Sequence, residues 1–361
     1  MVKTAKLISS AMCGALAITA ALTGCFQAAL PAETSAVQSI ISSDITQNDS
    51  SAKATLQGQA KERPMLIPCG TPFGIKLRSD GVMVVAVTEN SPADACGIRK
   101  GDIITSVNGS EVHCNEDITA ALLPESTLLL RRGASEMSLE ITPSSDPDSG
   151  ESRIGAWVRD SAAGIGTMTF CDPSTGSFAG LGHAVSDATT GDPVPLASGE
   201  ITEADIYDIV RSVQGTAGEL CGALCPNSTT GVLNANTSVG VFGTLCEPYE
   251  GEAIPMAFRQ EVHSGSAYIL STISGTAPRA YSIEIERINL LGLNGSKGMV
   301  IRITDPDLLT KTGGIVRGMS GSPIIQDGRL VGAITHVLVN DPQRGYAVFA
   351  ESMLDRMYSY P

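Results

Sequence analysis

Hydrophobic and polar positions alternate with a period of two along much of the C-terminal half of the chain. Tyr281-Ser-Ile-Glu-Ile-Glu286 alternates strictly, and Met299, Ile301 and Ile303 alternate with Val300, Arg302 and Thr304. That is the signature of half-buried strands. Further upstream, Gly81-Val-Met-Val-Val-Ala-Val87 is a β-type run. Ser91-Pro-Ala-Asp-Ala-Cys-Gly97 predicts a short helix closed by its glycine. Lys100 to Gly109 predicts a strand between turn signals, with Asn108-Gly109 as a hairpin marker. Residues 127–131 and 138–142 would complete this first compact unit, which starts near Met65. Ser144 to Ser152 has the composition of a linker. Beyond it, short strands separated by Gly, Asn and Thr imply a sandwich or barrels. Only residues 351–358 carry a clearly helical pattern.

The N-terminus reads differently. Lys3 and Lys6 precede a stretch with no charged side chain from Leu7 until Glu33. Its apolar part matches a signal peptide's hydrophobic region, and its full length is enough to cross a bilayer. Residues 1–32 are therefore expected to send the chain across a membrane, cleaved or retained as an anchor, with the lysines inside. Leu22-Thr23-Gly24-Cys25 looks like a bacterial lipobox, in which Cys25 would be lipidated. Residues 33–64 are rich in Ser, Thr, Gln and Ala and read as a flexible tether. Hydrophobic residues make up 42% and charged residues 17% of the 361 residues, which excludes a disordered chain. The formal net charge of −14 repels phosphate backbones, so nucleic acid is not an expected partner. Nine cysteines are too few for a disulfide scaffold of this length. Cys221 and Cys225 form the only close pair after the leader, half a zinc site at best; no metal and no cofactor are expected.

Gly318-Met-Ser-Gly-Ser-Pro323 is suited to seat a nucleophile. Its glycines permit a tight turn that exposes Ser320, and the N–H groups of Gly318 and Ser320 would converge as an oxyanion hole. The base must come from four histidines, His113, His183, His263 and His336. His183 sits among small residues in Gly180-Leu-Gly-His-Ala-Val185, which leaves room for a substrate; His336, on the strand after the serine, is the weaker rival. Asp187, Asp192, Asp305 and Asp307 are all available as the orienting acid, and spacing does not choose among them.

Two resemblances sharpen this picture. SPADACGIRKGDIITSVNG is similar to the PDZ domains attached to bacterial proteases, over roughly residues 66–143. It implies an α+β PDZ domain at 65–143, a linker at 144–153, and a loop Pro72-Phe73-Gly74-Ile75 that offers N–H groups to a peptide's terminal carboxylate. GLGHAVSD and GGIVRGMSGSPIIQDGRLVGAITHVLVNDP resemble the SpoIVB, or stage IV sporulation protein B, family of serine peptidases. That resemblance implies a mainly β protein with a trypsin-like double β-barrel at 154–361. It puts the base on His183, the nucleophile on Ser320, the acid on Asp305, and Thr335 at a supporting position. It further implies a membrane-associated or secreted endopeptidase that cleaves a membrane-associated regulatory protein, and its own chain, in signalling across the inner forespore membrane. The PDZ unit would hold its own chain or a partner's terminus. A catalytically inactive PDZ adaptor and a quality-control protease of the HtrA kind are the alternatives; in the latter the PDZ follows the protease domain, whereas here it precedes it.

Overall fold

The structure is a computed structural model and describes residues 63–145, 150–290 and 295–359. The leader at 1–32, with Cys25, and the tether up to residue 62 lie outside the described residues. In chain order the elements begin with β1 (Met65–Pro68), β2 (Pro72–Val87), α1 (Pro92–Ala95), β3 (Ile103–Val107), α2 (Asn115–Ala121), β4 (Ser126–Arg132) and β5 (Ser135–Ile141). They continue with β6 (Ala156–Cys171), β7 (Ser177–Gly180), β8 (Leu196–Val210), β9 (Glu219–Thr237) and β10 (Gly240–Leu245). The C-terminal part holds β11 (Gly265–Ser271), β12 (Arg279–Ile288), β13 (Met299–Ile303), α3 (Pro306–Thr312), β14 (Pro323–Gln326), β15 (Arg329–Leu338), β16 (Asp341–Phe349) and α4 (Ala350–Met357). None of the described helices is long and apolar enough to cross a membrane.

Six strands close the first barrel. Around it β6 pairs with β7, β7 with β10, β10 with β9, β9 with β8, β8 with β2, and β2 again with β6. Its interior is filled by Phe73, Ile75, Leu77, Phe178, Leu181, Ile201 and Val241. The second barrel closes in the order β11-β12-β13-β16-β15-β14. The alternating residues predicted from sequence fill it: Tyr281, Ile283, Ile285, Met299, Ile301 and Ile303 are all buried in one cluster. A third cluster brings Met353, Leu354 and Met357 of α4 together with Phe170 and Phe242 of barrel one and Val348 of barrel two. The expected double barrel is present.

The domain boundaries need correcting. The PDZ-like unit is nested inside barrel one rather than placed before it. Residues 72–78 of β2 pair with β6 and β8 in the barrel, whereas Val82 and Met83, further along the same strand, pair with β3 of the PDZ sheet. In the same way, residues 156–159 of β6 pair with the PDZ half of β2, and 161–167 with its barrel half. The interval expected to be a linker carries a two-stranded ladder, Ser144–Ser145 with Ser152–Arg153. The PDZ core itself is as expected, with Val82, Val84, Ile104, Val107, Leu128 and Leu130 buried around Ile118 of α2. Asn108 and Gly109 take left-handed φ values of 52° and 79°, as a two-residue hairpin requires.

Pro72-Phe73-Gly74-Ile75 is therefore not a carboxylate-binding loop. All four residues are buried in the barrel half of β2, and Gly74 lies opposite both Ile165 and Thr202. A Cβ there would meet Leu224 Cδ2 and Thr202 Oγ1 at 2.5 Å, so no peptide terminus can approach. The sequence signal misled because a Gly ahead of an apolar run reads alike in a loop and in a crowded strand.

Candidate active site

Ser320 sits on the turn between α3 and β14. Gly318 and Gly321, on either side, take φ values of +95° and +98°, which L side chains rarely adopt. A Cβ on Gly321 would lie 1.9 Å from the Thr167 carbonyl oxygen, so the turn and barrel one are pressed together at this point. Thr167 of β6 grips it twice. Its amide donates to the Ser320 carbonyl at 3.0 Å, and its hydroxyl to the Gly318 carbonyl at 2.7 Å. From the other side, the Leu220 amide donates to the Arg317 carbonyl at 2.9 Å, which fixes the peptide plane carrying the Gly318 N–H. Among the described residues no backbone carbonyl accepts from the N–H of Gly318 or of Ser320. The Ser320 hydroxyl donates to the Thr335 carbonyl at 2.7 Å, and Thr335 is anchored in turn through Oγ1 to the Ser296 carbonyl at 2.9 Å.

His183 follows β7 after a strained step. Leu181 is a non-glycine residue at φ +65°, and Gly182 at +71° packs against Thr335 and Val348 too tightly for any side chain. The His183 Nδ1 lies 2.8 Å from the Ala184 carbonyl oxygen. That contact places the proton on Nδ1 and leaves the Nε2 lone pair available as a base. Burial lowers the His183 pKa below its ordinary 6.5, against an upward pull from the Ala184 carbonyl. His336 stacks nearby, ring centroids 4.9 Å apart. Burial, with smaller contributions from His183 and Lys297, pushes its pKa down to about 4. Both imidazoles are thus neutral at pH 7. His183, His336, Ser320, Gly318 and Thr335 line one cleft of about 720 Å³, whose other walls include Ile165, Leu181, Val185, Ala217, Ile315 and Val337.

The remaining sequence candidates lie elsewhere. Asp305, expected as the acid, is the N-cap of α3, its carboxylate accepting from the Leu308 amide at 3.0 Å and the Ser282 amide at 3.3 Å. Pro306 at the first helical position made that capping role readable. Asp187 is buried in its own turn, where burial raises its pKa but the Thr190 and Thr189 amides and Arg159 outweigh it and hold it below the carboxylate range. Asp307 pairs with Lys311 at 2.8 Å. No hydrogen bond or ion pair joins a carboxylate to His183 among the described residues, and the Ala184 carbonyl occupies the orienting position. His263 reaches Asp327 at 2.8 Å on the surface, and Cys221 and Cys225 are free thiols. Among the described residues no group of three or more His, Cys, Asp and Glu is arranged to hold a metal ion.

A second groove marks the PDZ unit. It encloses about 380 Å³ between α2, through Asn115, Ile118, Thr119 and Leu122, and the segment from Glu151 to Val158 that runs into β6. Thr167 and this groove both went unseen in the sequence, because each depends on where β6 runs after the PDZ unit.

Two six-stranded barrels with a histidine from one and a serine turn from the other define a serine-peptidase type of fold and site, here with a PDZ unit set into the first barrel. The family comparison agrees. The chain belongs to the SpoIVB peptidase S55 family, whose model matches residues 150–354, and a PDZ domain model matches residues 83–130. Serine protease HTRA3 of Homo sapiens is 42% identical over 67 residues, 18% of this chain and 15% of that protein. Serine protease HTRA1 of Xenopus tropicalis is 34% identical over 68 residues, again 18% and 15%. A probable periplasmic serine endoprotease DegP-like of Pseudomonas putida is 36% identical over 118 residues, 32% of this chain and 23% of that protein. The chain thus spans well under half the length of the curated relatives it matches. Among solved structures, the active form of the Rv3671c protease from M. tuberculosis aligns at 15% identity over 55% of this chain and 74% of that one, with a TM-score of 0.33. The HtrA-type protease AlgW with decapeptide aligns at 11% identity over 81% and 64%, with a TM-score of 0.33.

Proposed function

We propose that the chain is a serine endopeptidase with Ser320 as nucleophile and His183 as general base. One observation carries this reading: Ser320 stands on a glycine turn with two N–H groups that no carbonyl among the described residues claims, in the same cleft as a histidine whose Nδ1 is held by the Ala184 carbonyl and whose pKa burial lowers. Ser320 Oγ attacks the scissile carbonyl and its proton passes to His183 Nε2. The N–H groups of Gly318 and Ser320 receive the developing oxyanion. His183 then delivers the proton to the leaving amine, and water releases the acyl group by the reverse roles. The Ala184 carbonyl orients the imidazole where an aspartate often does, and Thr335 holds the resting serine hydroxyl.

The family resemblance and the leader support a wider role. The enzyme is exported across the bacterial cytoplasmic membrane and held there through its N-terminus, on Cys25 or as an uncleaved anchor. It cleaves a membrane-associated regulatory protein in sporulation signalling across the inner forespore membrane, and its own tether. The PDZ unit takes peptide termini, its own or a partner's, in the groove beside α2.

A serine-directed fluorophosphonate tests the chemistry. It should label the wild type, and Ser320→Ala should lose both labelling and self-cleavage. Self-cleavage by Ser320→Ala at the wild-type rate would remove the peptidase reading.

A further inference from the structure

The end of β8 and the start of β12 meet in a corner that the peptidase chemistry does not use. Tyr207, Ile209 and Arg211 follow at a spacing of two, as do Arg279 and Tyr281, so each set shares one face of its segment. Reciprocal backbone bonds between Ile206 and Gly275, at 3.2 and 2.7 Å, hold the two segments side by side. Between them and the last turn of α3 lies a pocket of about 500 Å³, lined by all five residues together with Lys311. Barrel one thus frames it on one side and barrel two on the other.

The polar groups of this pocket are mostly donors that lack acceptors. The Arg211 guanidinium donates only to the Leu309 carbonyl of α3, at 3.4 Å. Arg279 has neither a side-chain hydrogen bond nor an ion pair among the described residues. Tyr281 is 4% exposed, yet its hydroxyl has no hydrogen-bond partner among the described residues, where a buried phenol normally finds one. Burial raises the Tyr281 pKa, Lys311 and Arg279 pull it down, and Asp307 and Asp305 push it up, so the hydroxyl lies among these charges. The nearby carboxylates are engaged elsewhere. Asp307 is held by Lys311 at 2.8 Å, Asp305 by the Leu308 and Ser282 amides, and Asp208, in the lining, by the Ile209 amide at 2.8 Å. Two arginines and a lysine on one pocket repel one another, and an anion placed among them removes that repulsion.

We propose that this pocket binds a phosphate monoester, held by Arg211, Arg279 and the Tyr281 hydroxyl. Arg211 comes from barrel one and the other two from barrel two, so the donors reach the anion from more than one side. Guanidinium forks take phosphate oxygens in pairs, and three sets of donors suit a tetrahedral anion better than a planar carboxylate. The pocket is larger than a phosphate alone, and Ile209, Ile273 and Ala277 offer apolar wall to the ester group. Tyr207, at 71% exposure, keeps its ring open to the same group. Soluble phosphate esters and the headgroup of phosphatidic acid carry the same chemistry. The pocket shares no residue with the catalytic cleft, so this site does not depend on the peptidase reading.

Calorimetric titration of the full chain with phenyl phosphate supplies the test. Binding should saturate with a Kd below about 1 mM, at least about tenfold tighter than that of benzoate. Arg211→Gln and Arg279→Gln should each weaken it by about tenfold or more, and Tyr281→Phe by about threefold. Melting temperatures should stay within about 2 °C of the wild type, since none of these groups holds an ion pair and the phenol has no partner to lose. Arg279→Lys, which keeps the charge without the fork, should recover part of the loss. Dihexanoyl phosphatidic acid and glycerol 3-phosphate then compete with phenyl phosphate. Tighter binding of the first assigns the site to a lipid headgroup and of the second to a soluble ester, and either order upholds it. No binding at about 10 mM phenyl phosphate, benzoate binding equally well, or unchanged affinity in both glutamine variants overturns the site.

Discussion

Barrel two is built from strands that follow one another in the chain, interrupted by α3 and the serine turn, and each of its strands pairs within the barrel. Barrel one is built from long strands that serve two bodies. Half of β2 and half of β6 belong to the PDZ sheet, and some seventy residues separate these two neighbouring strands in the chain. Each barrel supplies half of the site: His183 and Thr167 come from barrel one, Ser320, Thr335 and His336 from barrel two. The glycines of the serine turn are local to it, whereas the Thr167 and Leu220 groups that hold it and the histidine beside it arrive from a barrel whose closure depends on non-local pairing. Loss of pairing in barrel one should therefore both loosen the serine turn and remove its base.

That asymmetry makes the source of the base the sharpest point to break. His183→Ala should lower turnover by at least about 10⁴-fold, because the imidazole acts as a unit with the serine. His336→Ala, in barrel two, should stay within about tenfold. Reversed magnitudes would place the whole reactive pair in barrel two. The pH profile reads the same assignment. A base must be neutral to accept a proton, and burial makes the His183 imidazolium harder to form, so its neutral form persists to lower pH. Activity in kcat/KM should rise with pH through a midpoint below the ordinary 6.5 and be level at neutral pH.

The next largest effect lies in the strand that sequence reading took for a loop. Gly74→Asp would push a Cβ to 2.5 Å from Leu224 and Thr202 and bury a carboxylate between two paired strands. The expected cost is upwards of about 3 kcal/mol, or a fall in melting temperature of roughly 10 °C. Labelling of Ser320 should fall with stability. A variant that melts like the wild type and still labels, yet no longer binds peptides, would restore Pro72 to Ile75 as a ligand loop.

Thr167 probes the seam between the barrels. Thr167→Val keeps the amide bond to Ser320 and removes the hydroxyl bond to Gly318 at 2.7 Å. The oxyanion turn should loosen, with kcat down about 10- to 100-fold, KM little changed, and Thr167→Ser restoring the rate. Equal losses in Val and Ser variants would indicate packing alone.

How much was legible follows the same division. Alternation in residues 281–286 and 299–303 marked barrel two because each strand buries one face locally. The Gly-x-Ser-Gly turn and the small residues around His183 exposed the reactive pair because tight turns require glycine. Barrel one stayed hidden because Gly74, Gly164, Gly166 and Gly199 thin its strand pattern, and because a nested unit splits two of its strands. Thr167, an ordinary threonine in a glycine-rich run, carries no local sign of what it holds.

The smallest expected effect concerns Asp305, where sequence resemblance and geometry disagree most. As a triad acid, its loss would cost orders of magnitude in rate. As an N-cap it satisfies the Leu308 amide and also accepts from Ser282, tying α3 to the barrel-two strand β12. Asp305→Ala should then cost about 1 kcal/mol of stability, and Asp305→Asn less, since asparagine caps equally well. Turnover per folded molecule should remain within about threefold for both, which denaturation curves and fluorophosphonate rates measured on the same samples will resolve. A fall of 100-fold or more in a stable Asp305→Asn enzyme would mean that α3 releases its cap when substrate binds. The acid would then reach His183 from barrel two, and the division of labour between the barrels would have to be redrawn.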